Sequence, residues 1–249
     1  MINIVINGTG ISTDEGQTIL DAAKSADMEI PALCHYENHE NGTCRLCMVQ
    51  VKGNPRLVPS CSTQISEGME ILTESEKPRE YRKSLLTMLM QDHGSHEGEK
   101  EEKCSLHGYA EEYGIEPAAV RAVNSSADRT HPGIEFDASL CIKCGKCVIA
   151  CNDEQGNDVI GFRSRGQDLY IAFDSDRMLG ESSCKSCGAC VDVCPTGALI
   201  EKDWVSADRS VVSMCPYCAV GCTIEYGVRS EKIVWARGIE GQGVNEGKL

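Results

Sequence analysis

The sequence is organised around Cys141-Ile-Lys-Cys144-Gly-Lys-Cys147-Val-Ile-Ala-Cys151 and a second run, Cys184-Lys-Ser-Cys187-Gly-Ala-Cys190-Val-Asp-Val-Cys194-Pro195. Both runs have the spacing C-x2-C-x2-C-x3-C. This spacing is typical of paired [4Fe-4S] clusters, in which the fourth cysteine of one run binds the cluster of the other. A tight loop can point three sulfurs at one cluster but leaves no chain to reach the fourth corner. We therefore predict one cluster on Cys141, Cys144, Cys147 and Cys194, and a second on Cys151, Cys184, Cys187 and Cys190.

Zinc sites and disulfides are the alternatives for a chain with sixteen cysteines among 249 residues. Zinc sites usually pair two C-x2-C units, whereas three cysteines stand at successive C-x2-C steps in each run here. The chain opens Met1-Ile-Asn-Ile-Val-Ile-Asn7, with no basic and apolar leader and no twin-arginine pair. We therefore expect no export, a cytoplasmic location, and thiols that stay reduced and bind metal.

Composition narrows the function further. The formal net charge of −14 disfavours a nucleic-acid partner, since phosphate binding needs an excess of lysine and arginine. No apolar run approaches the roughly 18 residues that span a bilayer, so no direct membrane insertion is expected. Aromatic residues make up only 5% of the chain. Small modules with little apolar core would draw part of their stability from metal binding.

The N-terminal region has the pattern of a hairpin followed by a helix. Residues 2–6 alternate as a strand, Asn7-Gly8 is a typical hairpin turn, and Ile11 to Thr13 suit the returning strand. A short helix is expected from Thr18, its candidate cap, with Leu20 and Ala23 on the inner face.

Four cysteines follow with the spacing Cys34-x9-Cys44-x2-Cys47-x13-Cys61. With the hairpin and helix, they resemble the ubiquitin-like fold of plant-type [2Fe-2S] ferredoxins, although the first loop is longer than in the plant-type C-x4-C-x2-C. The longer loop is similar to the N-terminal domain of the iron-sulfur subunit of respiratory complex I, of iron-only hydrogenases and of NAD-linked formate dehydrogenases. The resemblance implies a [2Fe-2S] cluster on these four cysteines, with a zinc site as the alternative.

Residues 77–133 are helical and charged in pattern, with a predicted helix over Tyr81–Met90 and a solvated loop over Gln91–Lys103. In the families just named, this position carries a cluster held by one histidine and three cysteines. His93 and the segment Cys104-Ser-Leu-His107 resemble its two ends, but the two middle cysteines are absent. We expect a helical spacer with an ordinary cysteine and solvent-exposed histidines. The alternative is zinc or an unusual cluster on His93, His96, Cys104 and His107.

Between the two runs of the pair, strands are predicted over Val159–Phe162 and Leu169–Phe173, and this insert also resembles the same families. After the second run comes Cys215-Pro-Tyr-Cys218-Ala-Val-Gly-Cys222. It resembles the start of the catalytic region of molybdenum- or tungsten-pterin oxidoreductases, above all formate dehydrogenases, in which a [4Fe-4S] cluster lies beside the pterin. In that family a fourth cysteine follows a segment resembling Val244–Leu249.

Cys215, Cys218 and Cys222 are therefore candidates for a [4Fe-4S] site that another chain would complete. The alternative is an incomplete site that is empty or holds a three-iron cluster or zinc. The catalytic residues and nearly all pterin-binding residues of that family lie further downstream. By this resemblance the chain alone lacks catalytic residues, and a Mo/W-pterin would sit in a partner domain or subunit.

Together these patterns predict a modular α+β protein with four parts. They are a β-grasp [2Fe-2S] domain (1–76), a helical domain with lost ligands (77–133), a two-cluster [4Fe-4S] domain (134–208) and a truncated molybdopterin oxidoreductase segment (209–249). The predicted function is electron transfer between a flavin/NAD(P)H subunit or ferredoxin and a Mo/W-pterin domain of a formate dehydrogenase-like complex. A free-standing electron-transfer subunit of a hydrogenase or electron-bifurcating complex is the alternative.

Overall fold

The computed structural model describes residues 1–37, 39, 41–95, 103–115, 127–202, 206–239 and 241–245. The chain divides into two compact units. One unit comprises residues 1–184 and 188–200, and the other comprises residues 185–187 and 201–249. In the described part of the chain, no helix combines the length and apolar character needed to cross a membrane.

The first unit begins with a mixed sheet of order β2-β1-β5-β3-β4. Strand β1 pairs antiparallel with β2 through a turn at Asn7 and Gly8, whose φ angles of 50° and 86° suit a hairpin turn. Strand β1 also pairs parallel with β5. The strands are β1 (Ile2–Ile6), β2 (Thr9–Thr13), β3 (Met48–Val51), β4 (Leu57–Pro59) and β5 (Glu70–Leu72).

Helix α1 (Ile19–Ser25) covers one face of this sheet. The Thr18 hydroxyl accepts a hydrogen bond from the Asp21 N–H at 3.2 Å and so caps the helix, as its sequence predicts. Leu20 and Ala23 pack in one core with the sheet residues Ile4 and Ile6. The predicted hairpin, helix and ubiquitin-like fold are confirmed.

Helix α2 (Glu76–Asp92) packs against strand β3, and helix α3 (Ser105–Glu112) packs against α2. Their apolar side chains share a core with Leu33 and Leu46 from the cysteine loop. Helix α2 is longer at both ends than the predicted Tyr81–Met90, so that its C-cap residue is His93. Of the predicted polar loop, residues 96–102 lie outside the described part of the chain.

The paired cysteine runs fold around a separate apolar core that includes Ile134, Leu140, Ile171 and Leu179. A short helix begins one residue before the third cysteine of each run, and a π-helical turn follows the first of these helices. The elements are β6 (Ile134–Phe136), α4 (Lys146–Ile149), the π-helix Ala150–Glu154, β7 (Ile160–Arg163), β8 (Tyr170–Phe173), α5 (Ala189–Asp192) and β9 (Leu199–Glu201), with single 3₁₀ turns at Ala138–Leu140, Gly166–Asp168 and Leu179–Glu181.

The second unit contains an antiparallel sheet of order β10-β11-β12. Its strands are β10 (Arg209–Met214), β11 (Thr223–Arg229) and β12 (Lys232–Gly238). Strands β11 and β12 form an antiparallel hairpin, whose turn has positive φ at Ser230 and Glu231. Every residue of β10 is exposed. The α+β fold class is confirmed, while the four domain boundaries stay a prediction.

Candidate metal-cluster sites

The structure brings together the four cysteines predicted to hold the [2Fe-2S] cluster. The Cys44 N–H donates to Cys34 Sγ at 3.3 Å. The Cys61 thiol hydrogen-bonds to Cys47 and interacts electrostatically with Cys34 and Cys44. Cys34, Cys47 and Cys61 are buried and Cys44 is half-buried. Four converging thiols with a backbone N–H directed at a sulfur are the donor set that an iron-sulfur cluster requires.

The pKa values of these thiols depend mainly on two hydrogen-bonded pairs, Cys34 with Cys44 and Cys47 with Cys61. A hydrogen bond from the Cys44 thiol outweighs burial and lowers the pKa of Cys34 to about 5. The reverse effect, added to burial, raises the pKa of Cys44. A hydrogen bond from Cys61 lowers the pKa of Cys47 to about 6, while the pKa of Cys61 is raised. One thiolate of each pair is therefore favoured, and full ionisation of the set calls for a bound cation, as a cluster would supply.

Arg82 of α2 fixes the loop that carries Cys47. Its fully buried side chain donates to the carbonyls of Leu46 and Met48, the residues on either side of Cys47, both at 3.0 Å. The same guanidinium donates to Tyr113 Oη at 3.0 Å and forms an ion pair with Glu74. The helical spacer thus holds the backbone around Cys47 in place.

In the first run of the pair, left-handed backbone at two positions turns successive sulfurs inward. Lys143 (φ 58°) precedes the second cysteine and Gly145 (φ 82°) follows it. The Lys143 N–H donates to Cys141 Sγ at 3.4 Å. From the far end of the other run, Cys194 Sγ accepts from the Leu199 N–H at 3.4 Å. These N–H groups point at sulfurs in the manner of cluster-binding loops.

The pKa shifts of the thiols in the paired runs indicate which cysteines interact with one another. Burial, opposed by the Lys143 N–H and aided by Cys194, raises the pKa of Cys141 to about 11. Burial raises the pKa of Cys144 to about 12, and Cys194 and Cys141 add to the shift. Burial and then the thiols of Cys141, Cys144 and Cys194 raise the pKa of Cys147 well above its ordinary value. Cys194 thus interacts with Cys141, Cys144 and Cys147, and Cys190 also interacts with Cys147, while the crossed assignment of ligands stays a prediction. Ionising such a buried set is costly unless metal offsets the charge.

The second set shares the core of the first. Cys151 and Cys190 are buried, and Cys184 packs against the same core. The backbone of the second run repeats that of the first, with positive φ at Ser186 (58°) and Gly188 (80°). That Cys187 belongs to this set stays a prediction from its place in the run.

The loop between Cys34 and Cys44 touches the first paired run directly. The Asn41 amide donates to the carbonyl of Cys34 at 3.3 Å and also to the carbonyl of Cys144. The Thr43 hydroxyl donates to the same Cys144 carbonyl at 3.0 Å. The His39 ring lies 3.2 Å from Glu154 Oε1. Side-chain hydrogen bonds to backbone carbonyls therefore join the two predicted sites directly.

Cys215, Cys218 and Cys222 have a different environment. The Cys215 N–H donates to the Cys222 carbonyl at 2.9 Å, but Cys218 is exposed and the other two are half-buried. The Asn245 side chain accepts from the Thr223 N–H at 3.0 Å and donates to the Thr223 carbonyl at 3.2 Å, next to Cys222. Residues 246–249 of the segment predicted to precede a fourth cysteine lie outside the described residues.

The expectation of solvent-exposed histidines in the spacer is wrong for His93, which is 2% exposed. Helix α2 extends to Asp92 and places the ring in the interior. Ligand atoms of His93, Cys104 and His107 all lie within 4.8 Å of one another. His96, the fourth candidate, lies outside the described residues.

The converging thiols, their N–H donors and the ubiquitin-like and paired-run folds define an iron-sulfur protein of the ferredoxin class. Family models match at three places. They are a 2Fe-2S iron-sulfur cluster binding domain (residues 1–76), a 4Fe-4S dicluster domain (124–198) and a molybdopterin oxidoreductase Fe4S4 domain (208–249).

A chain of NAD+-reducing [NiFe]-hydrogenase, in a crystal structure of its H2-reduced state, is 30% identical to this chain. The match has a TM-score of 0.73 and covers 81% of this chain and 88% of that one. The chain therefore belongs to the family of iron-sulfur electron-transfer modules that includes this hydrogenase chain.

Longer relatives match as well. NADP-reducing hydrogenase subunit HndD of Solidesulfovibrio fructosivorans is 35% identical over 82% of this chain and 37% of its own length. An NADH-quinone oxidoreductase component of Rhizobium meliloti (strain 1021) is 30% identical over 100% of this chain and 30% of its own length. The chain thus spans about a third of the length of these two relatives.

Sequence reasoning missed Arg82, Asn41 and Thr43. All three act through main-chain carbonyls of residues distant in sequence, and such contacts leave no spacing pattern. The low hydropathy that makes Arg82 and Asn41 look like surface residues is misleading here, because each is satisfied by several partners.

Proposed function

We propose that this chain relays single electrons through one [2Fe-2S] and two [4Fe-4S] clusters within a formate dehydrogenase-like complex. Bound clusters would supply the one-electron redox chemistry. The residues of the chain hold those clusters, exclude water and fix their spacing. Cys34, Cys44, Cys47 and Cys61 are the proposed ligands of the first cluster, and the two crossed sets of the paired runs hold the others.

The observation that carries the proposal is the bridge from the [2Fe-2S] loop to Cys144. Asn41 and Thr43 both bond the Cys144 carbonyl, and Asn41 also bonds the carbonyl of the ligand Cys34. The bridge links the two sites through side-chain hydrogen bonds, and it gives a short path through covalent and hydrogen bonds. A stepping-stone cluster in the spacer is not needed for this path.

As the redox partner of the C-terminal region we propose a Mo/W-pterin catalytic domain or subunit. The support is the molybdopterin oxidoreductase Fe4S4 model at residues 208–249 and the C-x2-C-x3-C pattern within it. As the redox partner of the [2Fe-2S] domain we propose a flavin/NAD(P)H subunit or a ferredoxin. Two relatives named as NADP-reducing or NAD+-reducing hydrogenase components favour a pyridine-nucleotide partner. Cytoplasmic location remains part of the proposal.

The second candidate is an electron-transfer subunit of a hydrogenase or electron-bifurcating complex. It is favoured by the hydrogenase chain that matches over most of both lengths. Metal analysis of the complex purified on a tag at this chain separates the two candidates. Molybdenum or tungsten supports the first, whereas nickel, or a hydrogen-evolving partner without pterin metal, supports the second.

The relay itself is tested with Asn41→Leu and Thr43→Val together. Flash photoreduction followed by rapid-freeze EPR would measure how fast electrons redistribute between the [2Fe-2S] and [4Fe-4S] signals. We expect unchanged iron content and slower redistribution than in the wild type, because both hydrogen bonds to the Cys144 carbonyl are lost. Thr13→Val is the control, since the Thr13 hydroxyl bonds Gln17 on the opposite edge of the sheet. An unchanged rate in the double variant would refute the proposed route.

A further inference from the structure

Three side chains that the cluster sites do not use converge between α2 and α3. His93 is the C-cap residue of α2, Cys104 is the N-cap residue of α3, and His107 lies in the first turn of α3. Cys104 Sγ is 3.5 Å from His93 Nε2. The rings of His93 and His107 meet edge to face, with centroids 5.2 Å apart. Their ligand atoms all lie within 4.8 Å of one another.

The two helices hold these side chains in place through their own packing. Leu86 and Met90 of α2 pack with Leu106 and Ala110 of α3 in one buried core. Two of the three ligand candidates, His93 and Cys104, are themselves buried. The arrangement therefore rests on apolar contacts on both sides.

Backbone hydrogen bonds hold the residues that follow His93 and Cys104. The Gly94 N–H donates to the Ser139 carbonyl at 2.9 Å, and a Cβ at Gly94 would lie 2.9 Å from Ser139 Oγ. The Ser105 N–H donates to the Pro195 carbonyl at 2.8 Å. Glycine at position 94 permits this close approach, which places His93 opposite Cys104.

The spacing fits one ion better than a cluster. With bond lengths of about 2.3 Å to sulfur and 2.0 Å to nitrogen, two ligands on one tetrahedral zinc lie roughly 3.5 Å apart. Ligands on different corners of a cubane point away from one another and must lie farther apart. The separation of 3.5 Å between Cys104 Sγ and His93 Nε2 matches the single ion.

We propose that His93, Cys104 and His107 bind one zinc ion. Imidazole nitrogen and thiolate are the ligands that zinc prefers, and three protein ligands leave one position for water or a further ligand. The ion would join the end of α2 to the start of α3. It would also brace Ser139 and Pro195, which lie beside the proposed cluster ligands Cys141 and Cys194. This proposal does not depend on the direction or partners of electron transfer.

The test is zinc and iron content of the full chain, purified anaerobically without added metal or chelator, together with zinc-edge X-ray absorption. We expect about one zinc per chain with one sulfur and two nitrogen neighbours. Cys104→Ser and His107→Gln should each lower zinc at least fivefold while iron stays at the wild-type level. His35→Gln is the matched histidine control and should retain zinc, since its ring lies near Asp21. Cys218→Ser tests the cysteine group of the second unit and should also retain zinc.

Several results would overturn the proposal. One is a wild-type chain with its clusters but no zinc. Another is zinc that survives Cys104→Ser. A zinc ion with three sulfur neighbours would place the metal on Cys215, Cys218 and Cys222 instead. Four irons lost with Cys104→Ser would mean a cluster at this position. The absorption spectrum of the wild type decides among these outcomes even if a variant fails to fold.

Discussion

The two compact units differ in how deeply their cysteines are buried. In the first unit, Cys144, Cys147 and Cys190 are buried, and N–H groups donate to the sulfurs of Cys141 and Cys194. In the second unit, Cys218 is exposed and its two neighbours in the motif are half-buried. Both regions have C-x2-C spacing. A motif therefore marks where sulfurs can converge, while burial, N–H donors and a distant fourth thiol determine whether they form a finished site.

The largest expected effect comes from removing a thiol in each setting. Cys194→Ala should cost about four irons per chain, since it removes the ligand that reaches across to Cys141, Cys144 and Cys147. Cys218→Ala should leave iron unchanged in the isolated chain. Iron analysis and EPR of both variants provide the measurement. Equal iron loss in the two variants would break the contrast between the units.

The second effect concerns Arg82, whose buried guanidinium holds the backbone on either side of Cys47. Arg82→Met would leave the carbonyls of Leu46 and Met48 without their buried donor, at a cost of about 3 kcal/mol in the free energy of unfolding. Arg79→Met is the control, because Arg79 is half exposed and stacks on Tyr113 at 5.1 Å. That loss should be about 0.5 kcal/mol.

Urea unfolding followed by circular dichroism, with the [2Fe-2S] EPR signal recorded in parallel, measures both arginine variants. We expect the signal of Arg82→Met to disappear at lower urea than that of wild type. If the two variants lose the same stability, the hydrogen bonds of Arg82 to Leu46 and Met48 do not stabilise the [2Fe-2S] site more than an exposed arginine does.

A third change acts on the second unit alone. A Cβ at Gly227 would overlap the ring of Trp235 across the β11–β12 hairpin. Gly227→Ala should therefore destabilise this sheet by about 2 kcal/mol, through overpacking. Trp235 is expected to shift its fluorescence, whereas cluster absorption should stay at the wild-type level. Gly10→Ala, at a site with open space around it, is the control. Loss of iron from Gly227→Ala would mean that the clusters depend on the β10-β11-β12 sheet.

The smallest effect is expected at Asn245. Its side chain makes two hydrogen bonds to the backbone of Thr223. Asn245→Ala should cost about 1 kcal/mol, because these bonds are partly exposed to water. Thermal unfolding of the second unit, followed by Trp235 fluorescence, checks the value. A much larger loss would show that this contact organises the surroundings of Cys222 more strongly than its exposure indicates.

Much of the first unit could be predicted from the sequence because its signals are local. The hairpin turn at Asn7-Gly8, the Thr18 cap and the reach of each cysteine run depend on residues close together in the chain. The π-helical turn after Cys147 could not be predicted, since its pattern does not differ from that of an α-helix.

The rest depends on contacts between distant segments. Arg82 meets carbonyls 34 and 36 residues away, and Asn41 meets one 103 residues away. His93 is predicted to lie in a polar loop because the residues after it are charged, yet α2 carries it into the interior. Local polarity predicts exposure only where no second element covers the side chain.

The contrast comes down to one prediction, that the [2Fe-2S] loop and the paired cysteine runs hold three clusters and that Cys215, Cys218 and Cys222 alone hold none. It is tested most directly by iron, molybdenum and tungsten analysis of the isolated chain, purified anaerobically, with low-temperature EPR of the reduced sample. We expect about ten irons per chain, one [2Fe-2S] signal, two interacting [4Fe-4S] signals and no pterin metal. About six irons, or about fourteen irons in the isolated chain, would contradict it.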